Sequence, residues 1–202
     1  MPANCALGGG GSTGDCDLRQ LCRLALAHGM SLVNVPPIRT EKDQDMSKSL
    51  KRVQTALIDL GLKTEIHEMA DGTRTAADAA QAVGCEIDQI AKSIIFRGLR
   101  SGHVVLFLTA GGHQVDADKA SALADEPLGK ADAKLIRDET GFAIGGVSPV
   151  GLLQPVRAFY DPRLLAFDKV WAAAGTPRHV FAAPPNELIQ ACGAQLGDFV
   201  TR

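Results

Sequence analysis

The sequence predicts an α/β domain of about 155 residues built from short, partly antiparallel strands. Three observations carry this. Leu50, Val53, Leu57 and Leu60 recur at helical spacing, with Gly61 placed to end that helix. AKSIIFRG and HVVLFLTA are apolar, strand-like runs joined by a turn around Arg100-Ser101-Gly102, most simply a hairpin. Beyond them, capped helical stretches alternate with further short apolar runs.

Composition bounds the function. The chain has 202 residues, 46% hydrophobic and 22% charged, with a formal net charge of -2. These values exclude wholesale disorder, collagen-like repeats and a disulfide scaffold. No apolar run approaches the roughly 20 residues that span a bilayer. A near-neutral charge argues against coating of duplex nucleic acid, so no DNA partner is expected. Aromatic residues make up 4% of the chain, too few for a base-stacking platform. The five cysteines are odd in number and irregularly spaced. They fit reduced thiols and a cytoplasmic setting, and the glycines near the start stand where a secretory signal needs an apolar core.

Residues 1–45 read differently from the rest. They hold Cys5, Cys16, Cys22 and the run Gly8-Gly9-Gly10-Gly11-Ser12, which is flexible by composition. That run lacks the Gly-Lys-Ser/Thr ending of a phosphate loop, and no strand precedes it. Pro36-Pro37 ends a short helix-like stretch, and a charged linker follows. The segment is expected to be an accessory tail or a mis-assigned start, with a docking segment as the alternative, and the domain to begin at Met46 and run to 202.

From Ser47 the elements follow in order. TEIHEM fits a short strand. Thr75 can cap the Ala-rich helix AADAAQAV, which closes at Gly84. CEIDQI reads as one turn of helix before the hairpin. Asp116 or Asp118 can start DKASALA, and ADAKLIRDETG is a helix stopped by Gly141. VRAFY, KVWAAA and RHVFAA are strand candidates. PPNELIQACG has Pro at its start and Gly at its end, as a helix should.

Two features could carry chemistry. GFAIGGVSPVG places Gly141, Gly145, Gly146 and Gly151 around Val147-Ser148-Pro149. Such a segment either only turns the chain or brings backbone N–H groups close to a ligand. Ser148 lacks the Gly-x-Ser-x-Gly setting of a nucleophile elbow, and Pro149 removes the N–H that would follow it, so it is a poor nucleophile. Lys92 sits in the apolar run QIAKSIIF. It either snorkels from the strand mouth or points into a pocket as a fixed positive charge. The histidines His28, His67, His103, His113 and His179 show no metal-ligand spacing; His113, after Gly111-Gly112, can border a pocket. No metal or cofactor is expected. Cys85 and Cys192 read as small apolar residues.

These pieces, taken in order, resemble the YbaK/EbsC family of aminoacyl-tRNA deacylases, related to the editing insertion domain of bacterial prolyl-tRNA synthetases. The matching parts are Thr75–Ala80, Gln89–Phe96 with its lysine, the Gly-x-x-x-Pro loop Gly145–Pro149 followed by Gly151, and Ala174-Gly175 with NELIQACGAQLGDFV. The resemblance covers residues from about 48 to 202 and implies one compact domain with a mixed, largely antiparallel curved sheet flanked by helices. It implies a trans-editing hydrolase that cleaves the ester of a misacylated tRNA, in which Lys92 holds the terminal ribose-phosphate or the ester carbonyl. Gly145 and Gly146 would orient carbonyl and water, and Ser93, Val147, Ser148, Pro149 and His113 would bound the substrate. The partners it implies are a tRNA acceptor end and an aminoacyl-tRNA synthetase. The expected substrate is a small amino acid such as alanine on tRNA for proline. Relatives differ at the position of Ser93, which can tune the substrate. The alternative is a non-catalytic binding module that acts with a synthetase.

Overall fold

The structure is a computed structural model, and it describes residues 47–70 and 75–201. The expectations for residues 1–45 lie outside the described residues. The described helices are α1 (Lys48–Asp59), α2 (Ala76–Val83), α3 (Ala117–Leu123), α4 (Ala133–Thr140) and α5 (Pro185–Cys192). The strands are β1 (Ile66–Glu68), β2 (Ile90–Gly98), β3 (Val104–Thr109), β4 (Gln114–Val115), β5 (Leu128–Lys130), β6 (Arg157–Tyr160), β7 (Val170–Ala173), β8 (His179–Ala183), β9 (Gln195–Leu196) and β10 (Val200–Thr201).

The main sheet runs β1-β8-β7-β2-β3-β6-β9, with β5 also pairing β2. It is mixed and largely antiparallel. β7 lies parallel to β2, and β6 parallel to both β3 and β9; the remaining pairs of this sheet are antiparallel. β4 and β10 form a separate antiparallel pair.

Local chemistry sets the boundaries. Ser47 caps α1 by accepting from the Leu50 N–H. Thr75 and Asp78 form a capping box on α2, and Gly84 ends that helix at φ 69°, where a side chain would be strained. Asp116 and Asp132 cap α3 and α4 through their carboxylates, which accept first-turn N–H groups. The β2–β3 hairpin forms as expected from the two apolar runs. Glu126 organises its turn by accepting the N–H groups of Arg100 and Ser101.

β3 is buried on both faces, which is why VVLFLT is a continuous apolar run instead of an alternating one. Leu106 and Leu108 join the cluster that α1, α4 and α5 cover through Leu50, Val53, Leu57, Ile136 and Leu188. Val105 and Phe107 point the other way, to Phe159, Phe199 and Ala120 of α3. A third cluster gathers Met69, Ala79, Ala80, Ile90, Trp171 and Val180 where α2 meets the β7–β8 end of the sheet.

β5, β9, β10 and the 3-10 turn Pro162–Ala166 were not expected from sequence. Leu-Gly-Lys carries little strand propensity of its own. It becomes β5 because the far end of β2 offers an unpaired edge at Phe96–Gly98.

Candidate active site

The sheet opens beside β2. On one side, β2 pairs with β7 only at Ile90 and Ala91, and with β5 only from Phe96 to Gly98. Among the described residues no strand meets 92–95 there. The Gly98 N–H donates to His103 across the hairpin, so even-numbered residues of β2 turn their backbone groups toward β3. By alternation, Ser93 and Ile95 turn theirs into the gap. A cavity of about 290 Å³ lies here. Its walls are β2 at 90–94, the start of α2 at Thr75, Ala76 and Ala79, Met69, Trp171 to Ala173 of β7, Thr176, Pro177, His179 and Val180, and Gly145 and Val147 of the glycine-rich loop.

Lys92 occupies the row Ile90, Lys92, Ile94, Phe96 on one face of β2, between two apolar clusters. Burial pulls its ammonium below the ordinary lysine value, while Asp161 and Asp88 push it back up. Its Nζ donates to the His113 carbonyl at 2.5 Å. An ammonium has three N–H groups, so two have no acceptor among the described residues and are open to a ligand. Lys92 is among the residues that line the cavity, and its ammonium is held by the His113 carbonyl.

The glycine-rich loop closes the gap. Arg52 of α1 clamps it at both ends, donating from Nε to Gly151 O at 2.7 Å and from its terminal nitrogen to Gly141 O at 2.8 Å. Gly145 takes φ 86°, and a Cβ on Gly146 would come within 2.6 Å of the Thr176 backbone. The loop therefore needs glycine at 145 for its dihedral and at 146 for close packing. Gly146 donates its own N–H to Ala143 O at 3.0 Å within the turn. Gly145 and Val147 line the cavity, whereas Gly146 backs onto the β7–β8 turn.

The other expected residues divide. Ser93 lines the cavity, and its Oγ is buried without a hydrogen-bond partner among the described residues. Ser148 is fully buried and its Oγ accepts the Val150 N–H, while Pro149 is buried beside it. Both shape the loop from behind. His113 also differs from expectation. Its ring turns away from this cavity, because the buried carboxylate of Asp161 draws Nδ1 to 2.7 Å; only its carbonyl reaches Lys92.

Sequence reasoning missed Trp171, Thr176 and His179. Trp171 is the single tryptophan of the chain, and its Nε1 is buried at the cavity wall with no hydrogen-bond partner among the described residues. His179 Nδ1 lies 2.6 Å from Thr176 Oγ1. Only the rarity of tryptophan offered a signal. The two cysteines described, Cys85 and Cys192, both have thiols pushed up chiefly by burial, against any nucleophilic role. Among the described residues no group of three or more His, Cys, Asp or Glu side chains is placed to hold a metal ion. No helix among them is long and apolar enough to cross a membrane.

A larger cleft of about 1070 Å³ lies on the far side of His113 and Asp161. Asp88, Asp116, Asp161 and Asp198 line it, and its cations Arg163 and Lys119 are already paired with Asp88 and Asp198. That wall repels a polyanion, so the smaller cavity is the better candidate for the end of a nucleic acid.

Residues 70–191 match the family described as the aminoacyl-tRNA editing domain. The chain belongs to this family. The protein YwhH of Bacillus subtilis is 29% identical over 140 residues, 69% of this chain and 88% of that one. The proline–tRNA ligase of Thermosipho melanesiensis is 39% identical over 80 residues, which are 39% of this chain and 14% of the ligase. A solved structure described as a candidate trans-editing enzyme for prolyl tRNA synthetase is 46% identical with a TM-score of 0.72, covering 78% of this chain and 99% of that one. The matched span of this editing domain contains Lys92, the glycine-rich loop and every cavity residue named above except Met69.

Proposed function

We propose that the protein is an aminoacyl-tRNA deacylase acting in trans, with a preference for a small amino acid such as alanine on tRNA for proline. The observation that carries this reading is the meeting of Lys92, Ser93, Gly145 and Val147 on one small cavity in a split sheet. Membership of the editing-domain family and the likeness to a candidate trans-editing enzyme support it.

The reaction adds water to an ester carbonyl that is already activated, breaks the bond to the terminal ribose, and returns the hydroxyl. Positioning and oxyanion stabilisation suffice for such a step. Lys92 supplies two free N–H groups and a positive charge to the carbonyl or the adjacent phosphate. Because the Gly146 N–H is engaged by Ala143, the loop's donors in this scheme are Gly145 and Val147. Gly146, Ser148 and Pro149 hold the loop's shape. The cavity sits at the lower end of the size range of small-molecule sites, so it takes the aminoacyl group and leaves the nucleotides outside. Size then sets specificity, since a larger amino acid is excluded sterically. The acceptor end of the tRNA is the partner, a synthetase supplies the mischarged substrate, and the cytoplasm is the setting.

A deacylation panel tests this. Purified protein is offered tRNAs charged with alanine, serine, cysteine, threonine and proline. Release of alanine from tRNA for proline well above the rate for proline supports the proposal. Hydrolysis of another member corrects the substrate. Hydrolysis of none, with binding retained, supports a non-catalytic module instead.

A further inference from the structure

The turn that follows β3, Ala110-Gly111-Gly112-His113, is fixed from two other elements. Asp161, at the end of β6 and 1% exposed, accepts the Ala110 N–H at 3.0 Å and the His113 Nδ1–H at 2.7 Å, both on Oδ2. Its Oδ1 accepts the Arg163 N–H at 2.9 Å. Asp88, just before β2, accepts the Gly112 N–H at 3.0 Å. The turn closes on itself through His113 N–H to Ala110 O at 3.0 Å. A Cβ on Gly111 would lie 2.0 Å from Ile87 O, and one on Gly112 would lie 2.6 Å from Asp88 Oδ1, so the close seating of this turn requires both glycines. The carbonyl that this arrangement presents is that of His113, and it receives the Lys92 ammonium.

We propose that Asp161 is a positioning residue for editing: through the Ala110–His113 turn it sets the carbonyl that aims Lys92 at the cavity. The inference rests on the deacylase reading above and names what holds its central charge in place. A lysine stem has four rotatable bonds, and one hydrogen bond to a rigid carbonyl selects among its rotamers. The charges around Lys92 agree with this role. Asp161 and Asp88 oppose the effect of burial and favour the charged form of the ammonium. Arg163 is tied to Asp88 at 2.9 Å, the His113 ring is tied to Asp161, and His179 is another residue of the cavity wall.

The test compares the full-length protein with its Asp161→Asn and Asp88→Asn variants, after circular dichroism and thermal melting show which are folded. Trace acetic anhydride labels lysines competitively from neutral to alkaline pH, and peptide mass spectrometry reads Lys92 against the exposed lysines. Asp161→Asn should lower the pH at which Lys92 becomes reactive and raise its labelling several-fold, leaving the other lysines unchanged. Asp88→Asn should do the same to a smaller extent, and it decides the matter if Asp161→Asn does not fold. In single-turnover deacylation of alanyl-tRNA for proline, Asp161→Asn should lose up to roughly 10²-fold in rate with KM little changed, the scale expected when a reacting group is misplaced by about 1 Å. An unchanged Lys92 labelling profile in a folded variant overturns the proposal. Labelling needs no enzymatic activity, so a wild-type protein that hydrolyses nothing would refute the deacylase reading while this result still stood or fell alone.

Discussion

Lys92 is a cation held among apolar neighbours, and its surroundings predict both its effect and its pH response. Lys92→Ala should leave the fold intact and cost about 10²–10³ in deacylation rate, the usual loss on removing one preorganised electrostatic contact. Lys92→Arg should rescue only in part, because a planar guanidinium does not fit where one ammonium donates to the His113 carbonyl. Burial lowers the Lys92 pKa, so its charge disappears at a lower pH than that of an exposed lysine. The acceleration over spontaneous ester hydrolysis should therefore fall as pH rises through that value, and Lys92→Ala should abolish this limb. A pH–rate profile that is parallel in both proteins would refute the assignment. Ser148→Ala should keep activity within a few-fold, since its Oγ is spent on the Val150 N–H behind the loop. Its cost should appear in denaturant melts as about 1–2 kcal/mol, the penalty for a buried N–H left without an acceptor. A folded but inactive Ser148→Ala protein would mean that the hydroxyl takes part in the chemistry.

At the scale of elements, the glycine-rich loop depends on a residue far from it in sequence. Arg52 joins Gly141 and Gly151 to α1 and lies 4.5 Å over the Phe142 ring. Each hydrogen bond from a charged donor contributes roughly 1.5–3 kcal/mol, and the pair shares one side chain. Arg52→Ala should lower stability by about 2–4 kcal/mol in urea titration and reduce deacylation with it; an unchanged midpoint would show that the loop holds its own shape. Nothing in the local sequence marks Arg52, because helix periodicity reports only that it sits beside Val53. The elements legible in the sequence are those with local signatures: the Thr75–Gly84 helix with its capping box, the β2–β3 hairpin, and the Pro-started α5. The register of β7 on β2 was not legible, since two residue pairs separated by some eighty positions leave no local pattern. For that reason Lys92 had two readings in sequence, and Trp171, His179 and Asp161 could not be assembled around it.

For the whole molecule, the family match begins at residue 70 and the described helices at Lys48. A protein starting at Met46 should melt as the full chain does and retain its deacylase rate, because α1 already carries Leu50, Val53, Leu57 and Arg52 into the core and the loop. Loss of either property on truncation would assign residues 1–45 a part in the fold or in substrate binding. Differential scanning calorimetry with the single-turnover assay reads both.

The interruption in the sheet has a consequence for solubility. An unpaired strand edge normally invites another chain to add to it, which is the first step of edge-to-edge aggregation. Here the open stretch is residues 92–95 alone, bracketed by β7 before it and β5 after it, with Gly145 and Val147 facing it. A foreign strand has no run of successive backbone groups to pair with before it collides with either neighbour. The gap thus keeps backbone groups available to a small ligand without itself adding a template for β-sheet growth to the ordinary edges at β1 and β9.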